Sequence, residues 1–349
     1  MSPKEIEVIT PKRILVIVKK RTMPFYDQSG NAVSSGLKNS AGFVVELLNG
    51  VGYIAQLAEV DDNNCIDRVV TEFNPNVVII EALWVVPSKF EVLKKLHPDI
   101  KWVVRLHSDI PFIAHEGIAI EWIYDCIQEH VIIATNSERI AQEIVDVFRV
   151  HNSVVVLPNY YPLSGIIPRH KLSSDGFIDV GCFGAIRPMK NHLLQAMAAI
   201  QFANIHKKIL RFHINDGRVE DKGEPILKNL RSLFEHIEHE LIEHPWYPHN
   251  DFLNLVATMD ISMQCSFSET FNIVTADAVS RNVPIVVSHE IRWVDPLCQA
   301  DPNSSIDMIK ALTMVWNGAK GNEHTTNYKR LMKHNEDVKN QWGYVIGGL

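Results

Sequence analysis

The sequence predicts an α/β protein of two doubly wound, parallel-sheet domains that face each other across a central cleft. Two observations carry the prediction. Short β-branched runs alternate with longer stretches of helical periodicity, the mark of parallel strands covered by helices on both faces. The same plan occurs twice, and 349 residues suit two domains of common size. Apolar residues make up 46% of the chain and charged residues 21%, globular values that exclude disorder, collagen and low complexity.

In the first half, residues 13–19 (RILVIVK) read as a buried strand. A polar loop rich in Gly, Ser and Asn follows over 20–39, and helical periodicity runs over 40–48 and ends at Gly50. Residues 77–80, 102–105 and 131–134 read as further strands, with helices around 64–73, 88–96, 118–128 and 137–148. The run 154–157 closes this half and Pro158 stops it. In the second half, 178–183 is a strand, followed by a turn and a helix over 191–202. Residues 209–214 form a strand, 225–240 a long helix and 251–258 a short one. Strands at 261–264 and 284–288 flank a helix at about 270–281. A polar helix over 324–342 is placed to pack back across the domains. The expected boundaries are 1–160, 161–323 and 324–349, with the join near 160–175.

The net charge of −7 and pI of about 6.1 argue against a nucleic-acid coat protein or a basic membrane-surface protein. The opening residues lack the apolar core of a signal peptide. The most apolar run, 77–86, is interrupted by Glu81 and is too short to span a bilayer. Five cysteines are scattered without metal-type spacing, so reduced thiols and a cytoplasmic location are expected. His213, His236, His239 and His244 do not have metal-site spacing; His236 and His239 are expected on one solvated helix face.

Two segments carry candidate chemistry. The first runs Cys265-Ser-Phe-Ser-Glu-Thr-Phe-Asn-Ile-Val-Thr-Ala-Asp-Ala-Val-Ser280. A strand ends, Ser266 and Ser268 lie in a loop, and a helix is expected from about Thr270, capped by Ser268. The free N–H groups of such a helix suit a phosphate. Glu269 and Asp277, eight residues apart, would then be separated by roughly 12 Å of helix rise. Two acceptor-only side chains at that spacing suit hydroxyls at opposite ends of an extended ligand. The second segment is Gly181-Cys-Phe-Gly-Ala-Ile-Arg-Pro-Met-Lys-Asn191. A helix opening beside Arg187 and Lys190 suits a pyrophosphate and stabilises a departing one. Taken singly, each segment also fits an ordinary βα turn with surface charges. There is no GxxxxGK[ST], and no GxGxxG follows the first strand, so neither a P-loop nor a dinucleotide fingerprint is present.

Together the segments resemble the retaining, nucleotide-sugar-dependent glycosyltransferases of GT-B fold, the group that includes glycogen and sucrose-phosphate synthases. Of the motif G-R-L-x-x-x-K-G/N, Gly184 and Lys190-Asn191 match, while Ala185 stands at the arginine and Arg187 follows two residues later. Of S-x-x-E-x-F-x-x-x-x-x-E-A, Ser266, Glu269, Phe271 and Ala278 match, with Asp277 at the second acid. Asn282-Val-Pro-Ile-Val286 matches the stretch after the helix. In the first half, Arg105-Leu-His-Ser-Asp109 lies at a strand end where the family often has a histidine. Asn136-Ser and Leu157-Pro-Asn159 resemble two further strand ends.

The resemblance implies two Rossmann-like domains and transfer of a sugar from a nucleoside diphosphate sugar to an acceptor hydroxyl with retention, hexosyltransferase-like. It implies no metal and no cofactor beyond the donor. Arg187 and Lys190 would stabilise the leaving diphosphate. Glu269 would bind donor-sugar hydroxyls, and Asp277 the ribose, one methylene short of the usual reach. Gly184, Asn191, Ser268, Thr270 and Phe271 would complete the donor site, and His107 would touch substrate. Lys20, Arg21, Lys38, Arg105 and Asp109 are the acceptor-side candidates, the lysines and Arg21 as a local phosphate patch. Residues 1–160 hold 15 Lys and Arg against 20 Asp and Glu, which disfavours docking on anionic lipid. The acceptor stays open between a glycan, a small molecule and modified DNA, and the oligomeric state is open too. A phage-type DNA glycosyltransferase acting on hydroxymethylated pyrimidines is one alternative. A catalytically silent GT-B binding protein, allowed by Ala185 and Asp277, is another. An epimerase shares the two-domain cleft but would need no acceptor.

Overall fold

The computed structural model describes residues 11–20, 35–115, 117–165, 176–319 and 325–349. Its first half comprises β1 (Arg13–Lys19), α1 (Gly36–Gly50), β2 (Ile54–Val60), α2 (Ile66–Phe73), β3 (Val77–Glu81), α3 (Ser88–Leu96), β4 (Lys101–Leu106), α4 (Ile110–Ile113), α5 (Ala119–Gln128), β5 (Ile132–Thr135), α6 (Glu138–Phe148) and β6 (Val154–Val156). The second comprises β7 (Phe177–Gly181), α7 (His192–Ile205), β8 (Ile209–Asn215), α8 (Glu224–Glu235), β9 (Glu240–His244), α9 (His249–Val256), β10 (Ile261–Gln264), α10 (Ile273–Ser280), β11 (Ile285–Ser288), β12 (Gln299–Ala300) and α11 (Ser305–Ala319). A last helix, α12, spans Thr325–Gly348.

The strands form two six-stranded sheets, ordered β2-β1-β3-β4-β5-β6 and β12-β11-β10-β7-β8-β9. Every strand pair is parallel. The fold class read from the sequence therefore holds. Central strands such as β1 and β3 are buried along nearly their whole length, because helices cover both faces. In such sheets the strands deliver their C-terminal ends to one edge, where a crevice forms.

Several boundaries differ from the sequence reading. β2 was not predicted: it is an edge strand whose sequence IAQLAEV buries only its last residue, so it lacks the apolar run of a central strand. β9, also at an edge, falls at the end of the helix predicted over 225–240, which stops at Glu235. His239 thus leaves the expected solvated helix face; its Nδ1 accepts the Leu210 N–H at 3.0 Å. α1 begins at Gly36, inside the predicted loop, with the Ser35 side chain as its cap. α11, for which no element was predicted, packs Met308, Leu312 and Trp316 into the core of the second half.

α12 packs back across both halves. Tyr328 and Leu331 join the core formed by α10 and β11, while Val338, Trp342 and Ile346 join the core beneath β1, β3 and β4. Trp342 is wholly buried, and its Nε1 donates to the Pro158 carbonyl at 2.9 Å. Trp342→Ala is expected to cost about 3–5 kcal/mol, the usual range for removing a buried aromatic side chain. A lowered urea midpoint for the first half would register that loss.

Candidate functional site

A cleft of about 660 Å³ lies where the strand ends of the two halves meet, within the size range of small-molecule sites. Its second-half wall begins after β7. Gly184 has φ +116°, a conformation that favours glycine, and its N–H donates to Asn215 Oδ1 at 3.1 Å. Arg187 follows, then a single 3₁₀ turn over Pro188–Lys190, then α7. Lys190 and Glu269 form an ion pair, and each side chain is little exposed. Burial pushes the Lys190 ammonium pKa down, partly offset by Glu269. Arg187 lies 3.8 Å from Glu220 and 3.9 Å from Asp221, and its guanidinium covers the Phe112 ring of the opposite wall at 4.6 Å.

The two predicted segments are stapled together. Asn191 Nδ2 donates to the carbonyls of Cys265 (3.1 Å) and Pro302 (2.7 Å). Gln195 donates to the Lys190 carbonyl and accepts from the Cys265 N–H. Asn191 is thus buried as a fastener and does not line the cleft. The helix of the other segment begins at Ile273, later than predicted. Its cap is Asn272, whose side chain accepts the Thr275 N–H at 2.9 Å. Ser268 does not cap it, and the Ser268 hydroxyl is buried without a partner among the described residues. Glu269 lies in the loop, so the helix-rise spacing of Glu269 and Asp277 does not apply. Phe271 is a core residue, stacked against both Trp293 and His334 at centroid distances of 5.6 and 5.0 Å. Thr270 reaches across the cleft, its hydroxyl donating to the His107 carbonyl at 3.1 Å. Asp277 lines the cleft, with Oδ1 accepting from Tyr161 and His249.

The first-half wall carries Gly36, Asn39 and Ser40 from the start of α1, Ala82 after β3, and His107 and Ser108 after β4. The His107 ring is held from both sides. Asn136 Nδ2 donates to Nδ1 at 3.2 Å, and Nε2 donates to Glu81. That pattern assigns a neutral ring, and burial, opposed by Glu81, keeps its pKa below the ordinary value. Burial pushes the Glu81 carboxyl up, but Arg105 and His107 together bring it below the usual range.

Arg105 is not an acceptor-side contact. Its side chain is 0% exposed, and its guanidinium is spent on Glu81, Asn136, Asn159 and the Leu157 carbonyl. Asp109 is likewise buried, paired with Arg139, which also bonds Glu290 of the second half at 2.7 Å. Lys20 and Lys38 lie outside the cleft lining, 3.8 Å from Asp61 and 2.5 Å from Glu59 respectively. Arg21 lies outside the described residues. The sequence reading missed Arg218, Trp246, Tyr247 and His249, all of which line the cleft. Arg218 donates to Glu220 at 2.7 Å and covers the Trp246 ring at 5.0 Å. Trp246 and Tyr247 follow β9, so recognising that edge strand was the signal that would have placed them. Among the described residues no three His, Cys, Asp or Glu side chains group as a metal site.

No family model matches the sequence, and no curated protein matches it. Solved structures match along nearly the whole chain. Sucrose-phosphate synthase from Thermosynechococcus elongatus is 11% identical with a TM-score of 0.70, over 97% of this chain and 98% of that one. The trehalose-6-phosphate phosphatase N-terminal domain of Candida albicans is 11% identical with a TM-score of 0.65, over 97% and 96%. A UDP-forming trehalose-phosphate synthase from Burkholderia xenovorans is 10% identical with a TM-score of 0.64, over 95% and 98%. At such identities the likeness concerns the fold, and this chain has the GT-B fold.

Two predictions follow from the charges around the cleft. Arg105→Met strands the Glu81 carboxylate, and breaking a buried pair in this way costs about 3–5 kcal/mol, measurable by urea unfolding. The second concerns His192, whose ring nitrogens have no partner among the described residues. Burial, then the Lys190 and Arg187 charges, push its pKa to about 3, and burial with His213 pushes His244 to about 4. An unfolded histidine titrates near 6.5, so both folded values are depressed. Their stability is fully present above about pH 6.5 and is lost as pH falls toward the folded values. His192 alone should account for about 1 kcal/mol per pH unit between roughly pH 6 and 4. His192→Leu should flatten that slope in urea titrations at stepped pH.

Proposed function

We propose that this chain is a glycosyltransferase that moves a sugar from a nucleoside diphosphate sugar to an acceptor hydroxyl with retention of configuration. The observation that carries the reading is the convergence of Lys190, Arg187 and Arg218 in one GT-B cleft, beside Glu269 and the openings of α7 and α10. A desolvated, fixed ammonium such as Lys190 acts strongly on charge that develops in a transition state. Lys190 and Arg187 take the diphosphate, Glu269 the donor-sugar hydroxyls and Asp277 the ribose. Trp246 and Tyr247 offer aromatic surface at the nucleoside end. The acids that now face the cations, Glu220, Asp221 and Glu269, keep them extended until a diphosphate exchanges for them.

Both nitrogens of His107 are bonded within the protein, so His107 orients the wall and does not take the acceptor proton. The leaving phosphate takes that proton in a front-face reaction, without a metal. Cross-cleft contacts, Thr270 to the His107 carbonyl and Arg139 to Glu290, draw the walls together and exclude water. The UDP-forming activity in one structural neighbour's name supports a nucleoside diphosphate donor. Lys20 and Lys38 face acids outside the cleft, so a glycan or small-molecule hydroxyl suits the site better than a DNA phosphodiester. Among the described residues no helix is long and apolar enough to cross a membrane, and we place the enzyme in the cytoplasm.

Thermal-shift titration with UDP-, GDP- and ADP-sugars tests the donor site. A ligand at 100 times its Kd adds about 2.7 kcal/mol of stability. One donor should stand out, and Lys190→Ala should lower transfer from it on the order of 100-fold. An unchanged rate in that variant overturns the assignment. Binding without transfer to any hydroxyl acceptor favours a catalytically silent protein, which Ala185 at the expected arginine permits.

A further inference from the structure

We propose that Tyr161 and His249 are positioning residues that fix the Asp277 carboxylate for a ribose hydroxyl and so set ribonucleotide over deoxyribonucleotide selectivity. The inference rests on the reading of the cleft as a nucleoside diphosphate sugar site. Asp277 is 1% exposed, and a carboxylate so buried is costly unless donors compensate it. Two donors meet on one of its oxygens. The Tyr161 hydroxyl and His249 Nε2 each lie 2.7 Å from Oδ1. They arrive from separate parts of the fold. Tyr161 belongs to the segment leaving the first sheet, where Asn335 of α12 bonds its backbone N–H at 3.3 Å and its carbonyl at 2.6 Å. His249 opens α9. The Phe43 ring packs against both, at centroid distances of 5.4 and 5.8 Å, so neither side chain is free to swing away.

Pinned through Oδ1, the carboxylate has one remaining oxygen, and no donor among the described residues bonds it. Asp277 and His249 both line the cleft. An acceptor-only oxygen held in place selects a ligand hydroxyl and rejects an analogue that lacks it. Aspartate is one methylene shorter than glutamate and cannot make up for a misplaced ligand by extending. Its usefulness therefore depends on how firmly the two donors fix it.

The test is isothermal titration of the full chain with UDP, GDP and ADP, then with the 2′-deoxy and 3′-deoxy forms of whichever binds. Hydrogen bonds to a charged group predict that the wild type prefers the ribonucleotide over at least one deoxy form by roughly 10- to 100-fold. Tyr161→Phe and His249→Ala should each shrink that ratio severalfold, weakening the ribonucleotide more than the rejected deoxy form. A wild-type ratio near one overturns the proposal. Equal weakening of ribo and deoxy forms also overturns it, since the two side chains then serve only the fold. If none of the three diphosphates binds, the reading of the cleft fails first and the proposal falls with it.

Discussion

The first-half wall of the cleft depends on one buried guanidinium. Arg105 lies near the end of β4 with no solvent contact, and every nitrogen of its guanidinium donates inside the protein. Its partners come from the ends of β3 and β5, from the Leu157 carbonyl after β6 and from Asn159 beyond it. The Trp342 ring of α12 lies 5.2 Å from the same group. A planar fork with five fixed N–H directions tolerates little displacement of these partners. Glu81 balances the charge and accepts from His107, so the orientation of the His107 loop follows from the same centre. Asn159 passes the constraint on, accepting from Ser40 in the cleft wall through Oδ1 and from His334 of α12 through its carbonyl.

That arrangement explains why the sequence located this region but misread its use. Arg105 and Asp109 follow the pattern of exposed charges at a strand's C-terminal end, where ligands bind. Their burial depends on Glu81, Arg139 and Asn159, which are 24, 30 and 54 residues away. Nothing local announces such partners. Gly184, Lys190 and Glu269 were read from the two segments taken together, and all three line the cleft. Ser268 and Asn272 show the limit of local reading. Both are good caps, and the choice between them was settled by Asn272, whose amide also donates to Gln264 at 3.0 Å.

The fold itself was legible at the central strands and at the apolar edge strand β6, and obscure at the polar edges β2 and β9. β1 and β3 are unbroken apolar runs because both faces are covered. β2 and β9 have one side open and carry Gln, Glu or His along their length. Missing β9 had a cost beyond the fold, since the chain turns from that strand directly into Trp246, Tyr247 and His249. Apolar periodicity finds cores, and the aromatic lining of this cleft hangs from the least core-like strand of its sheet.

The departure at Ala185 follows the same logic of place over position. Ala185 is buried, and the next residue, Ile186, bridges to Val219. The Ile186 N–H donates to the Arg218 carbonyl, and the Ile186 carbonyl accepts from the Glu220 N–H. This bridge sets Arg187 and Arg218 on neighbouring segments, and both line the cleft. Glu220 holds the pair, contacting one guanidinium at 3.8 Å and the other at 2.7 Å. A motif read in register sees only an alanine where the motif has an arginine. The fold brings Arg187, two places on, and Arg218, from the segment after β8, to the cleft wall beside the Lys190 turn, a juxtaposition that no single sequence position announces.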